Sequence, residues 1–411
     1  MMRIAFDKTD ITPSSPCHMA GYNRKEKSTG VLDPIEINTV AFEQHGELYL
    51  LGILDSIMVG REFCDQVRAQ AAQRLGIPAE HITVSAIHTH SAPAFFKLTF
   101  EDTIVESELQ AGAQTSMVES MVRAAGALQE CTVTLEKAAI DGLYGNRNVK
   151  GGVEEKRVYL FTFFHKEGGR IGALFNISAH PTILNGSSFV LSADLLGHIR
   201  AKLQTILGCK VAITNGCCGD VSTRFYRKCA GMEELEYTAN SVVEQFLEKK
   251  QPSPLSGQAV ASRTFSMITH YDAATDPDWL AMTREQEAQP DSSPMKEFFL
   301  ARQELKRSFG AYDLELIAQL RLFGNLLVVI LPGDILSGFG LQIKNAFPEL
   351  EVVILGYSNT YCNYFVPREE YGKYFETYNS RLAKGEADRF INEVITQARN
   401  LVETAQKEGR A

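Results

Sequence analysis

The sequence predicts an α/β protein: a mixed β-sheet core flanked by helices, with a candidate site at the ends of strands. Three observations carry this. Short β-branched apolar runs alternate with longer segments whose apolar residues recur at helical spacing. The short runs repeatedly end in polar, glycine- or proline-containing turns, the positions where α/β sheets gather their sites. With 411 residues, the chain is long enough for a large buried core.

The elements follow in order. A strand-like start at 3–6 leads to a proline-bearing turn at 12–16. Runs at 37–42 and 48–54, joined by Glu43-Gln44-His45-Gly46-Glu47, read as a hairpin. Phe63, Val67, Ala71 and Leu75 mark a helix over 61–75, stopped by Gly76 and Pro78. A β-branched run at 82–87 precedes a helical pattern at 106–129, with Met117 and Met121 on its apolar face as core filler. Strands are expected at 133–140, 158–164 and 171–177. A helix at 195–207 has Asp194 to cap it and Gly208 to close it. A short strand at 211–214, a helix at 233–249 and a linker at 252–257 come next. The polar segment 272–310 carries the only tryptophan, Trp279, and reads as a helical insertion, a surface excursion or a lid. Strands at 327–331 and 352–355 and a helix at 386–405 complete the α/β pattern.

Composition excludes several classes. A net charge of −9, with no lysine- or arginine-rich block, argues against nucleic acid as a partner. No apolar run has the length of a membrane-spanning helix, and the N-terminus lacks the apolar core of a signal peptide. The eight cysteines form no C-x-x-C pair and read as buried free thiols. The expectation is a cytoplasmic protein.

The chemistry concentrates first in Ile87-His88-Thr89-His90-Ser91-Ala92-Pro93. If the strand stays extended, His88 and His90 project from one face, roughly 6.6 Å apart along the chain. Pro93 stops the strand. Two imidazoles at the end of a buried strand suit a metal or acid–base site, and equally a hydrogen-bonded strand terminus. His180, Asp334 and a tyrosine-rich turn at 357–364 stand at other strand ends. Two histidines and a carboxylate from separate strands would make a catalytic zinc site with an open position.

These residues resemble, in order through most of the chain, the catalytic domain of the neutral, non-lysosomal ceramidase family. His88-Thr89-His90-Ser91-Ala92-Pro93 is similar to the family's H-T-H-S-G-P, and Asn146-Arg147 to its N-R element. His180-Pro181-Thr182 resembles H-P-T, Ser192-Ala193-Asp194 resembles S-A-D, and Gly219-Asp220-Val221-Ser222 resembles G-D-V-S. Pro332-Gly333-Asp334 stands where the family has P-G-E. Asn359 to Tyr364 and Pro367-Arg368-Glu369-Glu370-Tyr371 resemble its tyrosine-rich stretch. The sequence departs from the family at Ala92, at Asp334, at Thr223-Arg224 in place of a proline, and after Tyr371. There Tyr374 and Tyr378 both lie near the position of the family's second functional tyrosine, and neither falls on it.

The resemblance implies a single ceramidase-like catalytic domain over 1–411, with the insertion at about 272–310. Secreted members continue into an immunoglobulin-like domain beyond this length. It implies zinc held by His88, His180, Asp334 and Tyr364. It implies that His90 does acid–base work, Arg147 holds the substrate's carbonyl oxygen, and Ser222 sits at the reaction centre. The expected reaction is hydrolysis of a linear N-acyl amide by metal-activated water, on a ceramide-like lipid or a smaller N-acyl compound. The alternatives are a metal-dependent esterase or lactonase, and a non-catalytic ligand-binding homologue. Cys217-Cys218 reads as small residues packed in a turn.

Overall fold

The computed structural model describes residues 2–257, 259–290 and 296–407. Three β-sheets form its centre. The first orders its strands Ile82–Ala86, Glu47–Leu54, Glu36–Gln44, Met2–Asp10 and Gln129–Glu130. The second orders Lys210–Asn215, Arg170–Ile177, Arg157–Phe164, Thr132–Ala139 and Gln251–Pro252. The third orders Val260–Tyr271, Tyr312–Phe323, Leu326–Ile330 and Glu351–Leu355. The sheets are mixed, as expected. Each carries one parallel pair: Glu47–Leu54 with Ile82–Ala86, Arg170–Ile177 with Lys210–Asn215, and Leu326–Ile330 with Glu351–Leu355. A parallel pair points two strand ends the same way, which lets neighbouring turns build one site.

The hairpin at the start closes through His45 and Gly46, both at positive φ (54° and 84°). Two left-handed residues give the tight turn whose twist matches the flanking strands. Helices Arg61–Leu75 and Ser107–Gly126 pack on this sheet, burying Phe63, Val67, Met117 and Met121. Helices Asp194–Leu207 and Met232–Lys249 cover the second sheet, and Glu386–Lys407 covers the third with Phe390, Val394, Ala398 and Leu401. Gly208 closes its helix in the left-handed conformation. Arg200 ties the second layer to the first, because both of its Nη atoms donate to buried Asp55 at 2.7 Å.

Two 12-residue antiparallel strands, Val260–Tyr271 and Tyr312–Phe323, have no counterpart in the sequence-based expectations. The first exposes much of its length and is rich in Ser, Thr and Arg, so no apolar run announces it. They flank the 272–310 segment, where helices Pro277–Glu287 and Lys296–Ser308 form; residues 291–295 of that expected insertion lie outside the described residues. Trp279 is fully buried, against Tyr378, in a small core that also holds Tyr271, Tyr364 and Tyr371. Lys306, buried as well, lies 3.9 Å from the Trp279 ring centroid and donates to the Thr377 carbonyl at 3.3 Å. Burial pushes its amine down to about 7. All eight cysteines are free thiols, seven of them buried or half-buried.

Candidate metal centre

The strand 82–86 ends at Ala86, and His88 does not continue it. His88 takes φ +73°, a left-handed conformation that is uncommon for a side chain of this size. The expectation that His88 and His90 share one face of an extended strand is corrected by this kink. It brings the two rings together instead of leaving them a strand repeat apart: the Nε2 atoms lie 3.2 Å from each other. Backbone strain of this kind persists only where surrounding contacts fix it. Here the His88 amide donates to Ser56 O and the Ile87 amide to Leu54 O.

His180 arrives from the second sheet. Its Nε2 also lies 3.2 Å from His88 Nε2. Asn215, the last residue of the neighbouring parallel strand, locks the two approaches together by donating to Ile87 O at 3.0 Å and Ala179 O at 3.1 Å. Asp334 arrives from the third sheet. Its Oδ1 is 3.4 Å from His88 Nε2 and 3.6 Å from His180 Nε2. Close backbone approach makes this possible. A Cβ on Gly333 would lie 2.5 Å from the Asn363 carbonyl, and one on Gly219 would lie 3.0 Å from the Asp334 carbonyl.

The tautomers follow from the partners. His88 Nδ1 is 2.5 Å from the Ile57 carbonyl, and His180 Nδ1 is 2.5 Å from the Cys218 carbonyl. A carbonyl only accepts, so each Nδ1 carries the proton and each Nε2 is left with a lone pair. Burial holds all three histidines below the usual imidazole pKa, so they are neutral. Two lone pairs facing each other at 3.2 Å repel unless a cation lies between them. At zinc–nitrogen distances of ~2.0–2.1 Å, tetrahedral ligand atoms sit roughly 3.3–3.4 Å apart. The His88, His180 and Asp334 atoms match that spacing. His88, His90 and His180 together could hold a metal ion. His90 differs from the other two in one respect: its buried Nδ1 has no hydrogen-bond partner.

Around this centre the tyrosines divide. Tyr357 donates to Asp334 Oδ1 at 2.6 Å and stacks on His88 at 4.2 Å, while Tyr361 donates to Asp334 Oδ2. Tyr364 pairs with Asp334 across the short strands Asp334–Ile335 and Tyr364–Phe365, and its hydroxyl accepts from Arg147 Nη2 at 3.1 Å. Arg147 Nε donates to Glu376 Oε1 at 2.8 Å, and Asn148 holds the other oxygen of Glu376 at 3.0 Å. Nη1 of Arg147 has no partner among the described residues. Ser222 is buried in the two-residue strand beside Gly145–Asn146, and its Oγ accepts from the Arg224 amide at 3.2 Å. Among the described residues, no histidine reaches it. Cys218 Sγ lies 2.9 Å from the Tyr357 hydroxyl, and burial raises its thiol pKa well above the usual value.

The structure thus brings His88, His90, His180 and Asp334 into one contact group, with Arg147 and Tyr364 beside it as a linked pair. Sequence reasoning missed Asn215 and Glu376, and it marked the turn at 357–364 without assigning Tyr357 or Tyr361 a role. It also missed the loop over His90, where Gly21 and Tyr22 face the ring and Arg24 donates to His90 O at 2.8 Å. Of the two tyrosines left open, Tyr378 stacks on Phe299 at 3.9 Å. In that short helix, Phe375–Tyr378, Glu376 hydrogen-bonds Arg147 and the Phe375 ring lies 5.8 Å from its guanidinium.

The fold is shared with solved ceramidases. The structure of neutral ceramidase from Pseudomonas aeruginosa superposes with a TM-score of 0.77 at 16% identity, over 98% of this chain and 75% of that one. A ceramidase structure described as complexed with C2 gives 0.74 at 17%, with the same coverage. No protein-family model and no curated protein sequence matches the chain.

Proposed function

We propose that the protein is a zinc-dependent hydrolase of linear N-acyl amides, with a ceramide-like lipid or a smaller N-acyl amine as substrate. One observation carries the reading: two neutral imidazoles, fixed by backbone carbonyls, turn bare Nε2 atoms toward each other and toward Asp334. A cation between them would relieve that arrangement, which supports the metal reading. The ceramidase fold supports the amide as the bond cleaved. On this reading the chain forms one catalytic domain, with the 272–310 segment as a helical insertion.

His88, His180 and Asp334 would hold the zinc, with Tyr364 as the fourth protein ligand. When bound, zinc supplies a Lewis acid and brings the pKa of a bound water to about 7. The remaining chemistry belongs to the chain. His90 turns Nε2 toward the centre, 3.2 Å from His88 Nε2, and on this reading that nitrogen takes a proton from the attacking water or returns it to the departing amine. Arg147 is held by Glu376 and Tyr364 and offers Nη1 to the substrate carbonyl oxygen. Ser222 lacks a histidine base and is assigned to substrate binding rather than attack. Asp334 is one methylene shorter than glutamate, and Tyr357 and Tyr361 hold both of its oxygens.

The test is a panel of matched N-acyl amides and esters with the zinc-loaded and metal-stripped protein. The reading expects amide cleavage that disappears on stripping and returns with zinc. Cleavage of esters alone would replace the amidase with an esterase. No cleavage with intact zinc binding would make the chain a binding protein.

A further inference from the structure

Between the same three sheets lies a second, unrelated feature. A cavity of about 350 Å³ opens between the three sheets. Ligand pockets for small molecules start at ~300 Å³. Its walls are apolar: Phe42, Phe161, Leu174 and Val328 among others. Thr83, at the start of the strand that leads to His88, borders it. Three residue steps of strand, roughly 10 Å, separate it from Ala86, where the strand ends ahead of the histidine centre.

The cavity has one charged wall, Arg321, which is only 4% exposed. Among the described residues, no carboxylate lies within ion-pairing distance of it. It stacks at 4.7 Å on Tyr49, another cavity residue, and donates to the Glu80 carbonyl. That carbonyl already accepts from Gln319 Nε2 at 3.1 Å, so the fold does not require the guanidinium as its donor. A buried cation without an anion is costly, and buried charges are otherwise paired. The cost is offset when an anion enters the cavity.

We propose that this cavity binds a fatty acid, with the acyl chain against the apolar walls and the carboxylate on Arg321. An apolar volume with a single guanidinium at its edge matches a single chain with an anionic head. Polar lining is sparse beside Arg321, limited to Gln44, Tyr49, Thr83 and Ser256, and a neutral lipid would leave the guanidinium unpaired. The site stands independently of the amidase reading, although cleavage of an N-acyl lipid would release such a molecule.

Isothermal titration of the full chain with laurate and with dodecanol tests this, using metal-stripped protein so that the histidine centre cannot bind the carboxylate. Laurate should bind at one site, at least tenfold more tightly than dodecanol. Arg321→Gln should remove that preference, Leu174→Trp should abolish binding of both, and His88→Ala should change neither. Equal affinity for the two ligands in the wild type would overturn the proposal. So would an undiminished preference in Arg321→Gln, binding that survives Leu174→Trp, or no binding at all. If either cavity variant fails to fold, the wild-type comparison of acid with alcohol still decides.

Discussion

The two ends of strand Ile82–Ala86 solve the problem of buried polarity in opposite ways. At the carboxyl end, the charged and polar groups are densely cross-linked. Asn215 spans two carbonyls, Asp334 is held by two tyrosines, and Arg147 is paired with Glu376. At the amino end, Arg321 borders an apolar cavity without a carboxylate partner. The first arrangement is rigid before any ligand arrives, as a catalytic constellation must be. The second is incomplete alone. Density of partners therefore separates a preorganised centre from a site waiting for its occupant.

Substitutions at the carboxyl end should be the more damaging. His88→Ala should lose bound zinc and lower amide hydrolysis by roughly 10³-fold or more, the scale of several kcal/mol of lost charge stabilisation. Metal analysis and single-substrate kinetics measure both. Asn215→Ala keeps every proposed ligand but leaves two buried carbonyls without their donor. It should cost about 1–3 kcal/mol in denaturant unfolding and weaken zinc binding by ~10–100-fold. Unchanged zinc affinity in that variant would mean that the two histidine approaches are fixed by something else.

Glu376→Gln separates the arginine arm from the metal. Zinc content should stay at the wild-type level, while misplacement of Arg147 lowers turnover by up to about 10²-fold. Loss of metal in this variant would instead merge the two groups into one unit. Ser222→Ala should retain zinc and lose less than about tenfold in rate, the worth of a single hydrogen bond; a far larger loss would identify Ser222 as the nucleophile. The smallest effect belongs to the other end. Arg321→Met should leave the stability of ligand-free protein within about 1 kcal/mol of wild type, because the lost stacking on Tyr49 is offset by removal of an unpaired buried charge.

Much of the fold was legible in the sequence because period and punctuation agree. The Arg61–Leu75 helix, the hairpin closed at His45-Gly46 and the strand ends at His180 and Asp334 all follow from local pattern. The strands Val260–Tyr271 and Tyr312–Phe323 escaped notice, the first because its exposed, polar face hides the alternation. Within the site, residue types were visible but not their geometry. Nothing local announces that His88 turns left-handed, and extended-strand spacing would have kept His88 and His90 apart. Asn215 and Glu376 were invisible for a different reason. Their partners, Ile87 and Ala179 in one case and Arg147 in the other, lie 36 to 229 positions away. Only packing of the sheets and the Phe375–Tyr378 turn brings them together.

The most direct test of the central claim is the rate at which free amine is released from an N-acyl sphingoid base, measured before and after chelation and again after zinc is restored. The account predicts release that falls to background on chelation and recovers with zinc. Release that continues undiminished in the metal-free protein would contradict it.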